Sequence, residues 1–167
     1  MRIGIIGSDD RAKAIGRLLQ SGGHQLTFAD PLAPERANRA AAEVGAKAEI
    51  PYRQAIRSDL LMLAVPRREV DRAVQAVGSG ADAVVVDAIE AERGNGAQSG
   101  AEIVARKLDS HRVVRALINM PQRGANIPIC GDDPISKVLV DRALHACGCL
   151  TTDRGPLSIA AELEAPA

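Results

Sequence analysis

The chain is nearly without aromatic residues: 167 positions hold one Phe, one Tyr and no Trp. A core must therefore be assembled from Ala, Val, Leu and Ile, and almost nothing is left to stack on a flat cofactor. Net charge is missing too. The 21 basic and 21 acidic residues cancel, and the basic ones are scattered rather than striped. That speaks against nucleic acid or an anionic membrane as the main partner. No apolar run reaches membrane-spanning length and none follows a basic start, so a soluble, cytoplasmic protein is expected. Cysteine is sparse. Cys130, Cys147 and Cys149 form an odd set with no His or Cys at ligand spacing, which reads as buried apolar thiols and not a metal or redox site. His24, His111 and His145 lie far apart and read as structural.

What is present is alternation. Short apolar runs at 2–6, 24–29, 59–65, 82–88, 111–117, 127–130 and 149–152 read as strands. Between them, 11–20, 34–44, 69–77 and 134–146 carry helical periodicity, with Pro34 and Pro134 at first-turn positions. Ala14, Ile15, Leu18 and Leu19 are expected on one face of the first helix, and Val138, Leu139, Arg142 and Leu144 on a mixed face of the last. Continuous apolar strands separated by helices predict an α/β, doubly wound, mostly parallel sheet with helices on both faces. One domain spanning 1–167 accommodates the length. ERGNGAQSG, 92–100, reads as a loop after the VVVD strand, either a lid over a ligand crevice or an ordinary surface loop.

The first strand runs into GSDDRA, residues 7–12, and then into a helix. A dinucleotide-binding turn needs a tight turn, close backbone approach to a pyrophosphate, and a small residue where helix meets strand. Gly7 meets the first need and Ala12 the third, but Asp9 stands where the second glycine belongs. A carboxylate about 5 Å from a phosphate charge, at an effective dielectric near 20, costs roughly 3 kcal/mol before screening. Two readings stay open. Asp9 or Asp10 caps the helix in place of a phosphate, or the loop accepts a nucleotide in a shifted pose, with Arg11 and Lys13 offsetting the repulsion. Asp30, ending the second strand, suits an adenosine ribose and favours NAD over NADP; Asp30-Pro31 is equally a good turn opener. Arg36 and Arg39 are expected to face water. Arg67 and Arg68 read as a clamp for an anionic tail or as a solvated helix start, and Asp133-Pro134 as an N-cap followed by Pro at N1.

The order IGIIGSDDRAKAIGRLLQSGGH, LLMLAVP, AEIVARKLDSHRVVRAL, PICGDDPISKVLVDRAL and DRGPLS resembles the NADPH-dependent deazaflavin (coenzyme F420) reductases over residues 1 to about 158. Their dinucleotide domain is similar to that of pyrroline-5-carboxylate reductases. The resemblance implies a Rossmann-like domain, often dimeric, that holds a nicotinamide dinucleotide against a second cofactor or small acceptor for direct hydride transfer. No acid–base residue is then required. It places Gly7, Ser8, Asp9, Asp10, Arg11 and Ala12 at the pyrophosphate, Asp30 at the ribose, and Ala64, Val65 and Pro66 beside the nicotinamide. Ile118, Asn119, Met120 and Pro121 fall at the second cofactor or substrate. The chain departs from that pattern at Asp9, at Asp30-Pro31, at Ile118 where relatives carry a polar residue, and in a shortened tail from about 156. The expected function is an NAD(P)-dependent reductase. The alternative is a non-catalytic binding or scaffold module with a degenerate phosphate loop.

Overall fold

The computed structural model describes residues 1–48, 55–78, 82–90 and 99–164. Eight strands form one sheet: β1 (Arg2–Ile6), β2 (Gln25–Ala29), β3 (Lys47–Ala48), β4 (Leu60–Leu63), β5 (Val84–Asp87), β6 (Val113–Arg115), β7 (Asn126–Gly131) and β8 (Leu150–Asp153). Their order is β3-β2-β1-β4-β5-β6-β7-β8. Every pairing is parallel except β6 with β7, where Arg115 lies opposite Cys130. The chain leaves β1 toward β2 and later returns to the other side of β1 as β4. That reversal opens a crevice at the carboxyl ends of β1 and β4, where doubly wound sheets bind ligands.

Helices α1 (Asp10–Ser21), α2 (Pro34–Val44), α3 (Val70–Val77), α4 (Gly100–Leu108), α5 (Pro134–Ala146) and α6 (Ala160–Glu164) cover the two faces. Ile15 and Leu19 of α1, Ala40 and Val44 of α2, and Val140 and Leu144 of α5 share one core with Ile3, Ile5 and Phe28. Val74 and Val77 of α3, Val104 and Leu108 of α4, and Ala160 share the other with Leu61 and Val85. The single Phe explains a glycine. A Cβ on Gly16 would stand 2.6 Å from the Phe28 ring, so α1 lies close over β2 only because position 16 has no side chain.

The structure corrects several boundaries. Ser99 and Gly100, expected in a loop, open α4 through a capping box: the Ser99 hydroxyl accepts from the Glu102 amide, and the Glu102 carboxylate accepts from the Ser99 amide. The rest of that expected loop, 92–98, lies outside the described residues. β3 was too short for periodicity to reveal. On α1 the buried face is Ala12, Ile15, Gly16, Leu18 and Leu19, with Ala14 only half-buried. On α5 it is Ser136, Val140, Ala143 and Leu144, while Val138 is 49% exposed. All three cysteines are buried and free. Burial pushes Cys130 and Cys147 up to about 11, so these are poor nucleophiles at neutral pH.

Candidate active site

Gly7 leaves β1 with φ +132, and a Cβ there would collide with the Ala64 carbonyl oxygen at the end of β4. Its amide donates to Ala29 O at 3.0 Å, tying the turn to the end of β2. Only glycine satisfies both conditions. The turn therefore brings the N-terminus of α1 to the mouth of the crevice. The amides of Asp10 and Arg11 are first-turn donors with no acceptor inside the helix.

The carboxylates of the loop are already engaged. Asp9 is the N-cap, and its Oδ1 accepts from the Ala12 amide at 2.9 Å. Asp10 is exposed and pairs at 2.8 Å with Lys13, which also reaches Glu43 at 3.1 Å. Lys13 thus neutralises acids on the helix surface and not a ligand in the crevice. Asp30 is 6% exposed. Its Oδ1 accepts from the amides of Leu32 and Ala33 at 3.0 and 2.9 Å, an Asx turn opened by Asp30-Pro31. Its Oδ2 accepts from the Ser8 hydroxyl at 2.5 Å. Arg36 faces water as expected, with its side chain half exposed, and its guanidinium also comes within 3.8 Å of Asp30.

Arg11 is the feature the sequence did not announce. Its Nε donates to Ala88 O at 2.7 Å, and its Nη2 donates to Ile118 O at 2.7 Å and to Leu117 O. One side chain on α1 thereby straps together the carboxyl ends of β5 and β6. Burial, and next the proximity of Arg115, pulls the Arg11 pKa below its ordinary value. Leu117 accepts this bond with φ +55, a left-handed conformation that costs a bulky side chain about 1–3 kcal/mol. The arginine is what holds it there. Arg11 is therefore occupied with backbone carbonyls and does not point at a phosphate.

Ala64 and Val65 are buried where β4 ends, and Pro66 is half-buried beside them. Ile118 is 8% exposed, Asn119 and Met120 are exposed, and Pro121 is half-buried. The Arg11 bonds bring Leu117 and Ile118 against α1, so two parts of the expected site, the glycine loop and the segment after β6, are joined in space. Asp30 meets the loop through Ser8. Asp133 caps α5 as expected, accepting from Ser136 N at 2.9 Å, and among the described residues no group of His, Cys, Asp and Glu could hold a metal. No helix among them is long and apolar enough to cross a membrane.

A buried ion pair escaped notice in the sequence. Asp87 and Arg115, ending β5 and β6, meet at 3.1 Å with side chains 0% and 1% exposed. Arg115 also donates to Ile89 O at 2.7 Å, and Asp87 Oδ1 accepts from Ile89 N at 3.1 Å. Burial pushes the Asp87 carboxyl up, against the pull of Arg115. The signal was there: a charge ends each of two neighbouring apolar runs, VVVD and VVR. A hollow of about 650 Å³ lies at the opposite edge, among Arg2, His24, Lys47 and Arg57 at the amino ends of β1 and β2, away from the crevice.

The residues fit a dinucleotide in backbone shape, through the Gly7 turn and the amides of Asp10 and Arg11. They fit it in charge only once Asp9 releases Ala12. Comparison with known proteins agrees on the frame. A protein of undescribed function from Sinorhizobium meliloti superposes with a TM-score of 0.82 at 21% identity, over 95% of this chain and 87% of that one. A protein provisionally described as an F420-dependent NADP reductase, from an Arthrobacter species, gives 0.80 at 18% identity over 98% and 89%. Prephenate dehydrogenase from Aquifex aeolicus, solved with NAD+, gives 0.73 at 16% identity over 98% of this chain and 61% of that one. Likenesses at these identities show the shared Rossmann-like fold. No curated protein matches the sequence. The family described as NADP oxidoreductase, coenzyme F420-dependent, matches residues 2–91, from β1 through β5 and the glycine loop, and the chain belongs to that family.

Proposed function

We propose that the protein is an NAD(P)-dependent reductase that transfers hydride between a nicotinamide dinucleotide and a second cofactor or small acceptor. The observation that carries this reading is the Gly7 turn, whose contact with Ala64 aims the α1 amides into the crevice between β1 and β4. Gly7, Ser8 and the amides of Asp10 and Arg11 would hold the pyrophosphate, and Ala64, Val65 and Pro66 would wall the nicotinamide end. The dinucleotide supplies the hydride. The chain's own part is to bind, orient and exclude water, which needs no proton-transferring side chain. Loss of reduced-nicotinamide absorbance with an oxidised deazaflavin, or with small carbonyl and imine acceptors, tests the reading. Dinucleotide binding without turnover on any acceptor would contradict it.

The choice between NAD and NADP turns on Asp30 and Arg36. Asp30 disfavours a 2′-phosphate, while Arg36 beside it offers a counter-charge. Arg36→Ala is expected to weaken NADPH several-fold and leave NADH unchanged, as read by calorimetry. Equal losses for both would remove Arg36 from the ribose site.

One observation favours the second reading, a Rossmann module without turnover: the Asp9 carboxylate sits on the Ala12 amide that a bound anion would otherwise approach. We also propose a homodimer. Ile135 and Val138, 68% and 49% exposed, lie one turn apart on α5 and offer a second copy an apolar strip. Light scattering giving the monomer mass would refute it.

A further inference from the structure

We propose that two copies of the chain join through β8, edge to edge and antiparallel, into one continuous sheet. This specifies the contact of the homodimer proposed above and rests on that reading. β8 ends the strand order, with β7 on one side and no strand on the other among the described residues. The amides of Leu150 and Arg154 donate to Ala125 O and Ile129 O across β7. Peptide groups alternate in direction along a strand, so those of Thr151 and Asp153 point to the open edge. An edge of this kind is a template for another strand unless charge, proline or a cover blunts it. Here the outer peptide groups belong to a Thr and to an Asp already paired with Lys137 at 2.8 Å, and Leu150 beside them is 60% exposed.

The edge fits a second copy better than an arbitrary strand because it is complementary to itself. With a two-fold axis at Thr152, Thr151 faces the partner's Asp153, and the pair exchanges both amide–carbonyl bonds. The symmetric pair does the same. On one face of the sheet, this register sets Leu150 against the aliphatic stem of the partner's Arg154; both residues are exposed in the single chain. On the other face lies α5, which fixes the charges. Lys137 binds Asp153, and Asp141 accepts from the Thr151 hydroxyl, so each marks the level of its strand residue. Pairing Thr151 with the partner's Asp153 therefore brings Asp141 level with the partner's Lys137, acid to base, on both sides of the axis. Val138, also exposed, stands between these two levels. Along β8 and the facing flank of α5, Lys137 and Arg154 balance Asp141 and Asp153, so the edge carries no net charge against its copy.

The test is light scattering on the intact chain, with Thr152 as the handle. Thr152 is exposed, its hydroxyl bonds Asn126 on β7 at 3.0 Å, and across the axis it meets its own copy. Wild type should show the dimer mass. Thr152→Lys and Thr152→Glu each set like charges opposite one another and should be monomeric, with the melting temperature nearly held. An equimolar mixture of the two variants should return to the dimer mass, which misfolding of either cannot imitate. Amide exchange read by NMR gives an independent measure: the Thr151 and Asp153 amides should exchange at least tenfold more slowly in wild type than in Thr152→Lys. A dimer that persists in both variants, a mixture that stays monomeric, or equal exchange at those amides would overturn the β8 seam and leave the homodimer reading standing. Wild type at the monomer mass would overturn both, leaving the edge to an extended segment of another protein.

Discussion

Three side chains decide what the crevice admits. As an N-cap, Asp9 contributes about 1 kcal/mol relative to Ala, but replacement by Gly at such a position costs only a few tenths. Against a pyrophosphate the same carboxylate costs roughly 3 kcal/mol before screening. The cap is thus a weak reason for stability and a strong one against an anion. Arg11 acts differently. Hydrogen bonds from a charged donor to carbonyls are worth about 1.5–3 kcal/mol, and this one arginine serves three acceptors. Arg11→Gln is expected to destabilise the fold by about 2 kcal/mol in urea titration, with the strap between β5 and β6 loosened. A change below about 0.5 kcal/mol would mean that solvent replaces those bonds freely. Asp30 shows how far a residue can be read without structure: the sequence offered ribose or turn, and the structure displays the turn together with a bond to Ser8 and a pairing with Arg36.

At the level of elements, helices with strong end signals were legible. Pro34 and Gly45 bracket α2, and Asp133 with Pro134 starts α5 where expected. α4 is harder to read because its start, QSGAE, follows a Gly-rich stretch that reads as loop, although Ser99 and Glu102 carry the S-x-x-E spacing of a capping box. The α5 face is hard to read for a different reason. Ser136 is fully buried there because its hydroxyl donates to Asp133, a pairing that hydrophobic periodicity does not register. The Ser136 hydroxyl, with the amides of Ser136 and Ile135, holds the Asp133 carboxyl below its ordinary value. Stability from this cap is therefore complete above the usual carboxylate range and is lost as pH falls through the lowered pKa. Asp133→Asn keeps the cap without the titration. Its melting temperature should fall less than the wild type's between pH 5 and about 2, the range over which paired carboxylates are protonated. Parallel curves would show that other carboxylates dominate acid unfolding.

Across the whole molecule, the sheet's parallel character and its helices on both faces followed from unbroken Val, Leu and Ile runs, because strands buried on both sides have no polar face to show. The site was less legible. It depends on where side chains from distant segments converge: the Arg11 strap, 77 residues from Ala88, leaves no local pattern, and the Asp87–Arg115 pair shows in the sequence only as a charge closing each of two apolar runs. The pair holds β5 to β6. Removing one partner of a buried ion pair costs about 3–5 kcal/mol, whereas replacing both by well-packed apolar residues is often neutral. Asp87→Asn or Arg115→Met alone should cost in that range, and Asp87→Leu with Arg115→Met much less than the sum. Additive losses in the double-mutant cycle would show that the two side chains act independently.

The central claim is that this chain keeps the family's dinucleotide-binding turn and that Asp9 controls entry to it. Calorimetric titration of wild type and Asp9→Gly with NADH and NADPH at one fixed ionic strength tests that claim directly. The account predicts weak binding by the wild type and at least tenfold tighter binding by Asp9→Gly, with the melting temperature of the free proteins nearly equal. Identical affinities in the two proteins, or no binding by either, would contradict it.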